Sequence, residues 1–199
     1  MSEIVVVNSL TLDGVMQGPG RPDEDTRGGF EHGGWAQPYT DAVLGQHMAE
    51  GMTTAGPILL GRRTYEDFAA VWPHMPADNP YTEVINNATK YVASTTLKEP
   101  LAWNNSTLLD GEATDAVAAL REPAGPDIVV LGSGELVRSL ARAGLVDRYV
   151  LLIHPLVLGS GRRLFDADGT LVPLRLVDSV TTTTGVIIAT YQPAVATTG

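Results

Sequence analysis

Short apolar runs recur along the chain with amphipathic stretches between them. Residues 4–7, 57–60, 90–93, 106–109, 128–131 and 149–153 are runs rich in β-branched or aliphatic side chains. Such runs form strands, and the β-branched ones read as buried on both faces. Residues 135–143 instead place Leu136, Leu140 and Ala143 at helical spacing and stop at Gly144, a suitable C-cap. Comparable patterns predict helices from Pro38 or Asp41 to about residue 50, from Arg63 or Thr64 to Val71, over 81–87 and over 113–121. Residues 174–183 and 186–191 alternate and are β-branched, so with Thr184-Gly185 between them they predict an antiparallel hairpin. Strand, turn, helix and strand across 128–153 make a βαβ unit with an expected right-handed crossover. The whole pattern is that of an α/β fold: one domain over residues 1–193, with 194–199 as a fraying tail.

Two of the predicted turns carry candidate chemistry. Gly132-Ser133-Gly134 lies between a strand and a helix, where glycines admit a close ligand and the first helical N–H groups have no partner in the helix. Those groups carry roughly half a positive charge, which suits a phosphate. A merely steric turn is the plain alternative. Gly61-Arg62-Arg63-Thr64 repeats the arrangement and adds two planar bidentate donors and a hydroxyl. Ser94, Thr95 and Thr96 put further hydroxyls beyond a strand end, where α/β sheets place ligands.

Residues 18–34 are dense in glycine, proline and charge and lack periodicity, as in a functional lid or a disordered loop. Trp35 at its end either packs or lines a pocket. Asp41 in a first helical turn is favourable to the helix dipole on structural grounds alone. His47 has no second histidine at ligand spacing, so no metal site is expected.

Composition narrows the classes. At 199 residues with 44% hydrophobic content the chain can bury a sizeable core. It has no cysteine, which excludes disulfides, thiolate catalysis and cysteine-held metals. A net charge of −10 speaks against a nucleic-acid surface. No segment reads as a signal peptide or a membrane span, so a cytoplasmic protein with no membrane or nucleic-acid partner is the expectation.

Five segments in order point to a family. Residues 60–66, Leu-Gly-Arg-Arg-Thr-Tyr-Glu, resemble a G-R-x-T-x-E phosphate segment, and Gly132-Ser133-Gly134 stands at the place of a pyrophosphate glycine pair. Leu145-Val146-Asp147 and residues 155–159, Pro-Leu-Val-Leu-Gly, are similar to L-V-D and P-x-x-L-G signatures; residues 8–14 are similar to S-x-D-G. Over nearly its whole length the chain resembles the dihydrofolate reductase fold, and within it the reductase domain of riboflavin-biosynthesis deaminase–reductases and their stand-alone relatives. The resemblance implies a three-layer fold, a mixed sheet of about eight strands, and an NADPH-dependent reductase acting on a small heterocyclic or carbonyl substrate, with homodimerisation a further expectation.

By the same resemblance Gly61, Arg62, Arg63 and Thr64 would meet cofactor phosphates. Ser94 and Thr95 would lie by the adenosine ribose and its 2′-phosphate. Gly132, Ser133, Gly134, Glu135 and Leu136 would surround the pyrophosphate, with Asn8, Ser9 and Met16 along the nicotinamide. Residues 35–41 are similar to W-x-x-P-x-D with one extra residue, so Trp35, Asp41 and Asp13 would face substrate and Asp41 would assist its protonation. Leu152 stands where dihydrofolate reductases keep a threonine, which speaks against dihydrofolate as the substrate. The missing cysteines exclude the zinc deaminase half. A non-catalytic dinucleotide-binding module and a phosphate-binding enzyme of another reaction type remain as alternatives.

Overall fold

The computed structural model describes residues 1–54, 56–165 and 171–194. Of the expected tail, residues 195–199 lie outside the described residues. One sheet runs through the molecule, built from β1 (Ile4–Thr11), β2 (Ile58–Gly61), β3 (Lys90–Ala93), β4 (Ser106–Leu108), β5 (Ile128–Leu131), β6 (Arg148–His154), β7 (Leu174–Thr181) and β8 (Ile187–Pro193). Its order is β4-β3-β2-β5-β1-β6-β8-β7. The first six strands in that order are mutually parallel, and β8 and β7 close the sheet as the expected antiparallel pair.

Among the described residues, five α-helices cover the two faces: α1 (Ala42–Thr54), α2 (Arg62–Val71), α3 (Thr82–Asn87), α4 (Ala113–Ala119) and α5 (Gly134–Arg142). Successive strand residues point to opposite faces, and the two cores follow that alternation. Ile4, Val6, Leu59, Ile128, Val130 and Leu151 meet Val117 of α4 and Leu136, Val137 and Leu140 of α5. Ile58, Leu60 and Val92 instead meet Tyr65 of α2 and Ile85 of α3, and Leu152 and Ile188 meet Leu44 and Met48 of α1. The result is a three-layer α/β fold. β2 and β5 are neighbours, pairing Ile58 with Val129 and Leu59 with Val130, yet their following helices depart to opposite faces. Divergence of this kind opens a crevice at the carboxyl ends of the strands.

Two segments differ from expectation. β1 does not leave the sheet after Val7 but continues to Thr11, because β6 supplies partners as far as Thr11 with His154. The polar Asn8 and Ser9 are thereby held in regular strand geometry. Residues 18–34, without periodicity, are nonetheless tied down by one buried side chain. The Gln17 amide donates to the carbonyls of Asp25 and Arg27 at 3.1 and 2.9 Å and accepts from Arg162 N–H at 2.9 Å. Trp35 Nε1 donates to the Gln17 carbonyl at 2.7 Å, and Trp35 packs with Phe30 and Val15 in a small core. A Cβ on Gly33 would come within 2.3 Å of the Pro22 carbonyl oxygen, so only glycine fits there.

A charged strand residue is also fully enclosed. Lys90 donates to the carbonyls of Asn86, Ala88 and Asn104 and lies 4.3 Å from the centre of the Trp103 ring. All three ammonium protons are satisfied, as a buried cation requires. Two of the carbonyls belong to the end of α3, where a cation is favoured.

Candidate functional site

The two glycine turns meet, and a serine hydroxyl joins them. Gly132 and Ser133 both have left-handed backbones, φ 57° and 62°, and reverse the chain into α5. Ser133 Oγ accepts the Gly61 N–H at 2.7 Å and donates to Thr64 Oγ1 at 2.9 Å. The hydroxyls of Ser133 and Thr64 are therefore engaged with each other and with backbone. The glycines leave room for this: a Cβ on Gly61 would sit 3.1 Å from Ser133 Oγ, and one on Gly132 would sit 3.1 Å from Thr64. The start of α2 and the start of α5 are fixed against each other in consequence. Neither helix has a side-chain cap, so the N–H groups of each first turn face outward.

Both turns open on one cavity of about 1030 Å³. Its polar arm runs along the strand ends, past Gly61 to Thr64, Ser94 to Thr96, Gly111 and Gly132 to Leu136, with Arg138 and Arg162 at its border. Arg62 makes a long contact to Glu66, 3.6 Å, whereas Arg163 donates from Nε to the Asp13 carbonyl at 2.7 Å and lies 3.5 Å from its carboxylate. The arm thus combines helix-end donors with guanidinium groups, a setting for anions. The other arm lies between the sheet and helices α1 to α3 and is apolar: Val7 and Leu152 on the sheet, Met48, Phe68, Trp72, Tyr81 and Ile85 around it. Phe68 and Trp72 stand edge to face, 6.1 Å apart. Asn8, Ser9 and Met16 lie in the lining that both arms share, and residues 23–27 complete it from the loop.

The expected cofactor residues are therefore assembled at one place: Asn8, Ser9, Met16, Gly61, Arg62, Arg63, Thr64, Ser94, Thr95, Gly132, Ser133, Gly134, Glu135 and Leu136 all line this cavity. Trp35, Asp13 and Asp41 do not. Trp35 is buried in the loop core, edge to face with His154 at 5.1 Å. Burial lowers the pKa of His154, whose Nδ1 lies 2.9 Å from the Leu152 carbonyl.

Asp13 is a fastening point. It accepts the Thr11 hydroxyl at 2.6 Å and the N–H groups of Leu158 and Gly159 at 3.2 and 2.9 Å. The Thr11 hydroxyl foremost, against the opposing effect of burial, and then those two N–H groups bring its pKa down to about 2. Asp41 precedes α1 as its N-cap: it accepts Leu44 N–H at 2.8 Å, and both the N–H and the hydroxyl of Thr183 at 2.6 Å. The Thr183 hydroxyl, then the Leu44 N–H, lowers its pKa. Its carboxylate thus holds the helix start to the β7–β8 turn and is not part of the lining of this cavity.

Other motif residues likewise act away from the cavity. Asp147 accepts the Ile4 N–H at 2.7 Å and pairs with Arg121 at 2.9 Å, at the opposite end of the strands. The residues of the apolar arm carry no motif; the one sequence signal among them is the i, i+4 spacing of Phe68 and Trp72. The described residues hold no cluster fit for a metal ion and no helix long and apolar enough to cross a membrane.

Comparison with known proteins bears on the family and the fold. The family model of the RibD C-terminal domain matches residues 3–188. The Bacillus subtilis (strain 168) proteins YyaP and YwjB are 30% identical over 140 residues and 28% identical over 123 residues. The first match covers 68% of this chain and 72% of YyaP, the second 62% of this chain and 66% of YwjB; both relatives are uncharacterised. Among solved structures, a protein from Shewanella sp. PV-4 named for riboflavin biosynthesis superposes with a TM-score of 0.71 at 20% identity, over 96% of this chain and 99% of that one. A pyrimidine reductase-like protein from Corynebacterium diphtheriae superposes with a TM-score of 0.64 at 15% identity, over 97% and 92%. These two likenesses show the fold. The chain belongs to the RibD C-terminal domain family, and that membership supports an oxidoreductase of the reductase type.

Proposed function

We propose that this member of the RibD C-terminal domain family binds NADPH along the polar arm and reduces a small heterocyclic or carbonyl acceptor held in the apolar arm. The observation that carries the reading is the convergence of two uncapped helix N-termini and two arginines on one end of a cavity whose other end is aromatic and apolar. A dinucleotide needs anion donors for its phosphates and a dry place where its ring meets a second ring.

The donor set fits the cofactor. The first-turn N–H groups of α2 and α5, with Arg62 and Arg63, would hold the pyrophosphate. Ser94 and Thr95, beyond β3, would face the adenosine ribose and its 2′-phosphate. Asn8, Ser9 and Met16 would border the nicotinamide. Bound NADPH supplies the hydride; the chain's own part is to position and to keep water ordered or out. Asp41 is held ionised outside the cavity, so the accompanying proton comes from water.

The same position of Asp41 favours one rival, a dinucleotide-binding module without turnover. Mixing protein, NADPH and a panel of flat carbonyl and heterocyclic acceptors separates the two. Loss of the reduced-nicotinamide absorbance above the protein-free rate supports the reductase. Tight NADPH binding with no such loss across the panel favours the module.

A further inference from the structure

The anion donors of the cavity are confined to one arm. The described residues that line the cavity include no lysine and no histidine. One arginine, Arg21, is held beside the apolar arm through Asp67, and it is consumed. Arg21 places Nη2 2.5 Å from Asp67 Oδ1 and Nη1 3.5 Å from Oδ2, with Asp23 3.5 Å from its Nε. Arg27, on the lining that both arms share, is likewise taken, in a two-point pair with Asp25, Nε to Oδ1 at 2.7 Å and Nη2 to Oδ2.

Glu24 adds a carboxyl that takes the Gly20 and Arg21 N–H groups at 2.5 and 3.0 Å, which stabilises its local turn rather than a ligand. Asp67, Glu24 and Asp23 all lie within charge range of Arg21, so three carboxyl groups against one guanidinium leave an excess of two at this end. The walls themselves are the rings of Phe68, Trp72 and Tyr81, and the Tyr81 hydroxyl is spent on the Gly45 carbonyl at 3.1 Å.

From this distribution we infer that the acceptor is a flat ring compound without phosphate or carboxylate, neutral or cationic, and that the cofactor is the one anionic ligand of the cavity. The inference rests on the reductase reading for what happens to the acceptor. An acceptor bearing an anionic group in the apolar arm would bring it against carboxylates with Arg21 already paired, and its desolvation would go uncompensated. A neutral ring is held by the aromatic walls, and a cationic one gains further from ring faces and carboxylates. In the reaction the hydride, carrying two electrons, goes from NADPH to the carbon of a C=O or C=N group. The heteroatom takes one proton from water, leaving NADP⁺ and the reduced acceptor.

A matched series tests this: para-tert-butylbenzaldehyde, its para-trimethylammonium isostere and para-carboxybenzaldehyde. Each is titrated against the NADPH-loaded protein by thermal unfolding and followed for NADPH oxidation. The neutral and cationic members should outperform the carboxylate by about tenfold or more in affinity or kcat/KM. Parity, or preference for the carboxylate, overturns the inference. Binding of none overturns it as well, because the arm then does not receive flat rings.

The variant Asp67→Asn frees Arg21 and should shrink the carboxylate's disadvantage several-fold; an unchanged ranking would contradict the masking of Arg21. NADPH binding is measured first without aldehyde. Its absence is a failure of the reductase reading alone, and the ranking is then read on the protein without cofactor.

Discussion

The two arms of the cavity are made of different material. The polar arm is backbone: glycine turns, helix starts and strand ends, contributed by contiguous stretches at 61–64, 94–96 and 132–136. The apolar arm is side chain, with Val7, Met48, Phe68, Trp72, Tyr81, Ile85 and Leu152 drawn from five separate elements or their borders. Backbone donors can be placed only by fixing the chain's path, which demands particular residues in particular order. Side-chain walls demand only that something flat or aliphatic reach the spot. One arm is therefore a motif and the other an accident of packing that no short stretch spells out.

That difference can be broken by mutation. Arg62→Ala with Arg63→Ala should weaken NADPH most, by roughly 3 kcal/mol if each removes one charged hydrogen bond, or about a hundredfold in Kd. Isothermal titration would show it, while the acceptor ranking stays as in the parent. Ser133→Ala leaves the Gly61 N–H without its partner and should lower stability by about 1–3 kcal/mol. It should also loosen NADPH, since the two helix starts lose their shared hydroxyl. Ser133→Gly relieves a left-handed backbone that costs roughly 1–2 kcal/mol, so it should melt above Ser133→Ala while sharing the looser cofactor binding. Urea unfolding and NADPH titration of the pair separate strain from positioning.

The apolar arm should answer in the reverse sense. Phe68→Ala is expected to raise the acceptor KM about tenfold through the loss of one ring contact, with NADPH affinity unchanged. Equal losses in both would mean that the arms are not separable.

Asp13 and Asp41 give the smaller effects. Asp13, with its pKa lowered from 3.8 to about 2, stabilises the fold above the ordinary value. That contribution is lost as pH falls from 3.8 towards 2. Asp13→Asn should flatten the dependence of the urea midpoint in that window. Asp41→Asn should lower the melting temperature, through the helix start and the Thr183 clasp, with turnover unaltered. A general acid in the reaction would instead cost roughly 10²–10⁴-fold in rate.

Much of the fold was legible. The βαβ unit across β5, α5 and β6 follows from an apolar run, a glycine turn and Leu136 and Leu140 at helical spacing, all local signals. So did the polar arm. What was not legible depends on partners far along the chain. Asp41 resembles a catalytic acid by its neighbours in sequence, yet its carboxylate is taken by Thr183, 142 residues away. Asp13 is likewise taken by Leu158 and Gly159. Residues 18–34 look patternless because their order comes from Gln17, Phe30 and Trp35 rather than from any repeat. Asp147, conspicuous within its L-V-D segment, serves the start of β1.

The central claim is that the polar arm holds NADPH. Thermal unfolding with NADPH, with NADH and with no addition tests it most directly. At a hundred times its dissociation constant a ligand specific for the folded state adds about 2.7 kcal/mol, a readily measured upward shift. The account predicts that shift with NADPH, a smaller one with NADH, and its loss in the Arg62→Ala, Arg63→Ala double variant. No shift with either nucleotide would contradict it.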